Sequence, residues 1–145
     1  MQAGAGATDK PSMPSFLSAV TDAGPGTKFQ LALGPSGRVV VPDLEVAVKS
    51  ATRKKGLLGR EGLPDGSGLV IAPTNAVHTF FMRFPIDIVF VTRAGEVVKV
   101  CQAVRAWRMA AAFRAYAVIE LAAGGAARAG LHVGDRVAVQ RCESP

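Results

Sequence analysis

Histidine and cysteine are scarce in this chain, with two of each among 145 residues. A zinc site built on three histidines is therefore excluded. His78, His132, Cys101 and Cys142 also share no metal-ligand spacing, so no metal and no cofactor is expected. Two cysteines without a C-x-x-C pair make no disulfide framework, and whether Cys101 and Cys142 bridge stays open. Aromatic residues are 6% of the chain, with one Trp and one Tyr, which is thin material for a base-stacking surface. No apolar run reaches the roughly 18 residues of a membrane span. The N-terminus, M-Q-A-G-A-G-A-T-D-K-P, carries no basic n-region, and the apolar patch Phe16–Val20 is too short for a signal-peptide core. A cytoplasmic protein is the expectation, and a mature exported form stays open. Ser67 lies in G-S-G without the G-x-S-x-G elbow of a nucleophilic serine. The glycine-bearing loop over residues 61–68 lacks the G-x-x-x-x-G-K-[ST] of a phosphate-binding loop.

Hydrophobic residues make up 49% and charged residues 19%, enough for one domain with a real core. The 17 basic residues outnumber the 11 acidic ones, for a net charge of +6. That balance suits anionic partners. Solubility explains it more simply, and nucleic acid is the less favoured partner.

The chain opens on residues 1–26, rich in Gly, Ala, Ser, Pro and Thr without sustained periodicity, which read as a disordered arm. Phe16, Leu17 and Val20 are the exception and could form one docked turn. Residues 27–142 read as a single β domain. Phe29–Leu33, the turn Gly34-Pro35-Ser36-Gly37 and the β-branched run Arg38–Val41 form a hairpin. Pro42 interrupts it, and Leu44–Val48 resumes. Ser50 to Arg60 then reads as a short amphipathic helix, N-capped by Ser50 and stopped at Gly59. Five basic residues, Lys49, Arg53, Lys54, Lys55 and Arg60, fall in this stretch with no acid among them. They are either a solvated face or an anion-binding patch. Further strands are expected at Leu69–Ala72, through the central run, and at Val97–Cys101, Tyr116–Leu121 and Arg136–Gln140. A loop is expected over Trp107–Phe113, and a helical turn ends at Gly130. Seven or eight short strands, Gly/Pro turns and two short helices indicate a mostly β fold, a small sandwich or closed barrel.

The central run, V-H-T-F-F-M-R-F-P-I-D-I-V-F-V over Val77–Val91, carries the sharpest signal. It is strongly apolar yet holds His78, Arg83 and Asp87. An unpaired charge buried there would cost more than one apolar side chain gains. Asp87, between Ile86 and Ile88, must therefore be tied to an arginine, with Arg83 nearest in sequence, or to backbone N–H groups. Pro85 splits the run or marks a bulge, because it removes a ladder donor. Before it, alternation would set His78, Phe80 and Met82 on one strand face. Trp107, flanked by Arg105 and Arg108, reads as a plug under a loop rather than as a stacking platform.

Four blocks in order, G-L-L-G-R at Gly56–Arg60, H-T-F-F-M-R-F-P-I-D at His78–Asp87, V-I-E-L-A-A-G at Val118–Gly124 and G-L-H-V-G-D-R-V at Gly130–Val137, together resemble a bacterial and archaeal family named domain of unknown function one-ninety-two. The likeness runs from about Val39 to Val139. The family pattern has Trp-Met-Lys-Asn where this chain has Phe81-Met82-Arg83-Phe84, and it keeps the proline and aspartate at Pro85 and Asp87. The resemblance implies a compact, mostly β fold and no established activity. The Arg-Phe departure weakens any role assigned to the asparagine.

Two functional readings follow. The preferred one is a non-enzymatic β domain that binds a small ligand or a protein partner. Its site would be a pocket near Asp87 and Arg83, with His78, Arg60, Trp107 and Glu120 around it, or the basic helix with Lys49, Arg53, Lys54 and Lys55. The other is a small enzyme using His78, Asp87 and Glu120 as acid/base groups, which would have to converge on one point in an open cleft.

Overall fold

Alternating and β-branched segments dominate the chain, and in the computed structural model, which describes residues 15–21 and 23–142, they form nine strands. These are β1 (Phe29–Leu33), β2 (Arg38–Ala47), β3 (Ser67–Ile71), β4 (Ala76–His78), β5 (Ile86–Val91), β6 (Val97–Val104), β7 (Met109–Ala111), β8 (Ala117–Ala122) and β9 (Val137–Arg141). Helix α1 is Ser50–Lys55, α2 is Gly125–Ala129, and a 3-10 turn spans Ser15–Val20. The fold is mostly β, as expected, with one strand and one helical turn more than the patterns suggested. Seven strands make one sheet in the order β6-β5-β8-β3-β2-β1-β9, while β4 and β7 make a separate two-stranded ribbon. All pairings are antiparallel except β2 with β3.

The large sheet curls into a half-barrel instead of stacking as a sandwich. Its two edge strands, β6 and β9, meet at one corner only, where Glu96 pairs with Arg136. There the Val97 N–H donates to the Asp135 carbonyl and the Val137 N–H to the Gly95 carbonyl. Gly95 sits at a φ of +91° in this corner, and a Cβ there would collide with the Val137 carbonyl oxygen, so the closure requires glycine.

The two sheet faces carry separate cores. The inner one draws Leu31, Val41, Val70, Val89, Val97, Ile119 and Val139 from all seven strands. Phe16 and Leu17 of the 3-10 turn plug it and are fully buried. The docked turn at Phe16 and Leu17 is present, and it packs into this core from before Thr27. Residues 1–14 of the expected arm lie outside the described residues. The outer core comprises Ala47, Leu57, Leu63, Leu69, Ile71, Ile86, Ile88, Phe90 and Val118. The turn that follows α1 and the ribbon cover it, through Leu57 and through the inward-facing Val77 and Ala110.

Several local expectations are revised. β2 runs straight through Pro42 to Ala47, with the irregularity absorbed as a bulge against β1. Pro42 is exposed, and it costs β2 one ladder donor rather than breaking it. Helix α1 stops at Gly56 rather than Gly59, with Lys49 as its N-cap residue in place of Ser50. The segment before Pro85 is a turn after His78, not a continuous strand. β7 occupies part of the expected Trp107–Phe113 loop. Cys101 and Cys142 are both unpaired.

Candidate functional site

Strand alternation decides which polar side chains can meet. In the β5–β8 pairing, Asp87 lies opposite Leu121 and Ile88 opposite Glu120. Leu121 belongs to the inner core and Ile88 to the outer one. Asp87 and Glu120 therefore point to opposite faces of the same sheet. Asp87 thus does not meet His78 and Glu120 at one point.

Asp87 is wholly buried and has no arginine partner among the described residues. Its carboxylate accepts the Ala103 N–H of β6 at 2.8 Å and the Ala126 N–H at the start of α2 at 2.9 Å. The charge is satisfied by backbone, one of the two solutions the sequence allowed. The donors come from distant segments rather than from the Pro85 kink. Ala103 bends to a φ of +50° in an irregular stretch of the β5–β6 pairing, which helps aim its N–H inward. The expected Asp87–Arg83 pair does not form. Arg83 is largely exposed and lies 3.6 Å from Glu61.

On the outer face, α1, the end of β3 and the ribbon enclose a cleft of about 430 Å³. This is within the usual range of small-ligand sites. Leu57, Leu58, Ile71, Val77 and Met82 supply apolar wall, while Arg53, Lys54, Lys55 and His78 supply polar rim. Glu120 lies at its floor, 5% exposed. Burial pushes its carboxyl up to about 7, against a weaker downward pull from the Arg60 guanidinium. No hydrogen bond reaches its carboxyl from any described residue. Arg60 itself forks onto Glu45, at 2.7 and 2.9 Å, and this contact holds the Glu45 carboxyl below its ordinary range. Of the anticipated ligand residues, the cleft gathers His78, Glu120, Arg53, Lys54 and Lys55, with Arg60 close enough to act electrostatically. It does not gather Asp87, Arg83, Trp107 or Lys49.

The ribbon brings forward residues that the sequence reading placed elsewhere. Thr79, 1% exposed, is its clasp. The Thr79 hydroxyl donates to the Arg105 carbonyl at 2.6 Å and accepts the Arg108 N–H at 2.9 Å. Its backbone accepts the Trp107 N–H and donates to the Arg108 carbonyl. The two loops beyond β4 and before β7 are thereby locked together, with Phe81 and Trp107 each held at a φ of +66°. For bulky side chains that backbone region costs about 1–3 kcal/mol per residue. Trp107 is 57% exposed and not a core plug. It stacks on Phe80 at 5.5 Å and meets the edge of Phe81 at 4.6 Å, and His78 continues the ladder by stacking on Phe80. The signal for this was present in the two aromatic-rich segments, but nothing in their spacing shows that they face each other.

Fold and site together define a curled half-barrel β domain with a ligand-sized cleft on its outer face and a clasped aromatic ribbon beside it. Similar architecture occurs in a protein from Sinorhizobium meliloti 1021 described as a proposed transcription regulator, with a TM-score of 0.66 and 22% identity over 77% of this chain and 91% of that one. At that identity the likeness shows the fold alone. A protein of unknown function from Novosphingobium aromaticivorans DSM 12444 is similar at a TM-score of 0.64 and 27% identity, over 91% of this chain and 99% of the other. No curated protein matches. Residues 32–139 match the family model DUF192, described as uncharacterised ACR, and the chain belongs to that family. No helix among the described residues is long and apolar enough to cross a membrane.

Proposed function

We propose that this domain is a binding module for a small molecule that seats in the α1–ribbon cleft. One observation carries the reading: the carboxyl of Glu120 is buried at the floor of the cleft without a hydrogen-bond partner among the described residues. A polar group in that position loses its hydration and regains nothing from the fold, at a cost of about 1–3 kcal/mol. A ligand donor would recover this on binding. The rim adds Lys54 and Lys55, both exposed, and the wall is apolar. The occupant that fits carries an amine or hydroxyl for Glu120, a short apolar body, and an anionic group for the lysines. Arg53 is partly engaged already, donating to the Val48 carbonyl at 2.9 Å.

The test is a thermal-shift screen at pH 7 with primary amines and polyols, each with and without a phosphate. A ligand at a hundred times its Kd stabilises the folded form by about 2.7 kcal/mol. The expected result is a compound that raises the melting temperature of the wild type and loses most of that effect on Glu120→Gln. Compounds that stabilise both proteins equally would remove Glu120 from the site, and a screen without hits would remove the cleft.

A further inference from the structure

We infer that the end of the β4–β7 ribbon is a docking surface for an anionic lipid bilayer. The starting observation is where the exposed large apolar side chains fall. Of the six in the described residues, Phe81, Trp107 and Met109 lie at the Thr79 end of the ribbon, exposed by 57–74%, and Phe113 lies past its other end. Scattered single apolar residues mean little, but a cluster of large ones marks an interaction site. The ribbon's geometry keeps this face outward. Val77 and Ala110 turn into the outer core, so by alternation His78 and its cross-strand partner Met109 turn to solvent. Thr79 then fixes both loops, and the backbone at Phe81 and Trp107 is held left-handed. Rings displayed by a locked, unfavourable backbone are not the debris of a loose loop.

Charge selects the occupant. Arg105 and Arg108 flank Trp107, while Arg83 and Arg114 lie 3.6 Å from Glu61 and Glu96, and Lys99 donates to the Ala111 carbonyl of β7. The segment 97–119 that carries Trp107 and Met109 holds no acid of its own. The acids that approach the ribbon, Glu61 and Glu96, sit against Arg83 and Arg114 and leave Arg105 and Arg108 without a carboxylate partner among the described residues. Phe, Trp and Met on one side with arginines beside them is the composition of a segment that sinks apolar tips below anionic headgroups. Single-stranded nucleic acid fits less well. The Trp107 ring already contacts Phe80 and Phe81, and Met109 offers no flat face for a base. These residues are distinct from the cleft floor, so docking and small-ligand binding can fail separately.

Trp107 is the only tryptophan, which makes its fluorescence a direct report on this surface. The full chain is titrated with vesicles of phosphatidylcholine containing 30% phosphatidylglycerol, in parallel with pure phosphatidylcholine vesicles and a single-stranded oligonucleotide. The expected result is a blue shift of Trp107 emission and co-sedimentation with the anionic vesicles only. Raising the salt should weaken both. Arg105→Ala/Arg108→Ala should weaken partitioning about 30-fold, at about fivefold per lost basic residue. Phe81→Gly removes an inserting ring while suiting the positive φ, so it should fold normally and still partition less. Equal binding to neutral vesicles, a response to the oligonucleotide alone, or no response to any of the three would each overturn the proposal.

Discussion

Asp87 and Glu120 are buried carboxyl groups on adjacent strands, one register step apart, and they face opposite cores of the same sheet. On the inner face Asp87 accepts two N–H groups, drawn from residues 16 and 39 positions further along the chain. It ties the bent stretch of β6 to the first turn of α2. On the outer face Glu120 accepts none from the described residues, and burial raises its proton affinity. Burial alone thus says little about what a polar residue does. What separates a structural lock from a candidate site is the number of donors the fold supplies.

The sharpest way to break this contrast is to remove the lock. Asp87→Ala orphans the buried Ala126 N–H, at about 1–3 kcal/mol, and the part-buried Ala103 N–H, at less, so the domain should lose about 2–4 kcal/mol in urea unfolding. Asp87→Asn should fall between the two, because its amide oxygen can satisfy one donor while its NH2 opposes the other. A midpoint that barely moves in Asp87→Ala would show that the two N–H groups find other acceptors and that the inner carboxylate locks nothing.

The opposite behaviour is expected of Glu120, and pH exposes it. Its folded-state value near 7 lies above the ordinary 4.5, so the folded form binds the proton more tightly than the unfolded form. Below pH 4.5 both states are protonated and there is no penalty. Between pH 4.5 and 7 the unfolded form gives up its proton while the folded form keeps it, so stability falls by about 3 kcal/mol across that window. It levels off above 7, where the folded form too carries the buried charge. Glu120→Gln should remove this slope, so the variant becomes the more stable protein above pH 7. Parallel pH profiles for the two proteins would mean that the outer carboxyl is solvated in the folded state.

Thr79, the third buried polar side chain of the described residues, belongs with Asp87: it is fully partnered, but it holds a ribbon instead of a helix. Thr79→Val keeps the shape and orphans the Arg108 N–H, for an expected loss of about 1–3 kcal/mol. Amide exchange should then speed up in β4 and β7 more than in the large sheet. Uniform acceleration would place the ribbon inside the main cooperative unit.

What the sequence made legible follows the same division. Alternation and turn chemistry located the β1–β2 hairpin, β5, β6, β8, β9 and the Gly130 stop of α2, and the apolar neighbours of Asp87 announced its burial. The ribbon was illegible because Met109-Ala110-Ala111 has no strand signature. Its loops also place Phe81 and Trp107 where glycine is the usual occupant, so no local rule points there. Phe16 and Leu17 are two apolar residues without a period, and only the inner core far along the chain explains them. The opposition of Asp87 and Glu120 depends on the β5–β8 register, which neither strand encodes alone.

The smallest effect is the most discriminating. Arg60 and Glu45 form a partly exposed pair, their side chains 34% and 54% accessible, so Arg60→Ala should cost no more than about 1 kcal/mol in overall stability. Arg60 also exerts the one attraction that favours the ionised form of Glu120. Removing it leaves the buried carboxyl with desolvation alone, and its titration should move to higher pH. Carbon-13 NMR of the Glu120 carboxyl, read across pH in the wild type and in Arg60→Ala, measures this directly. An upward move with little change in melting temperature would place Arg60 in the electrostatics of the cleft. If the inflection stays put, Arg60 serves Glu45 only, and the contrast between the two carboxyl groups reduces to burial with and without hydrogen bonds.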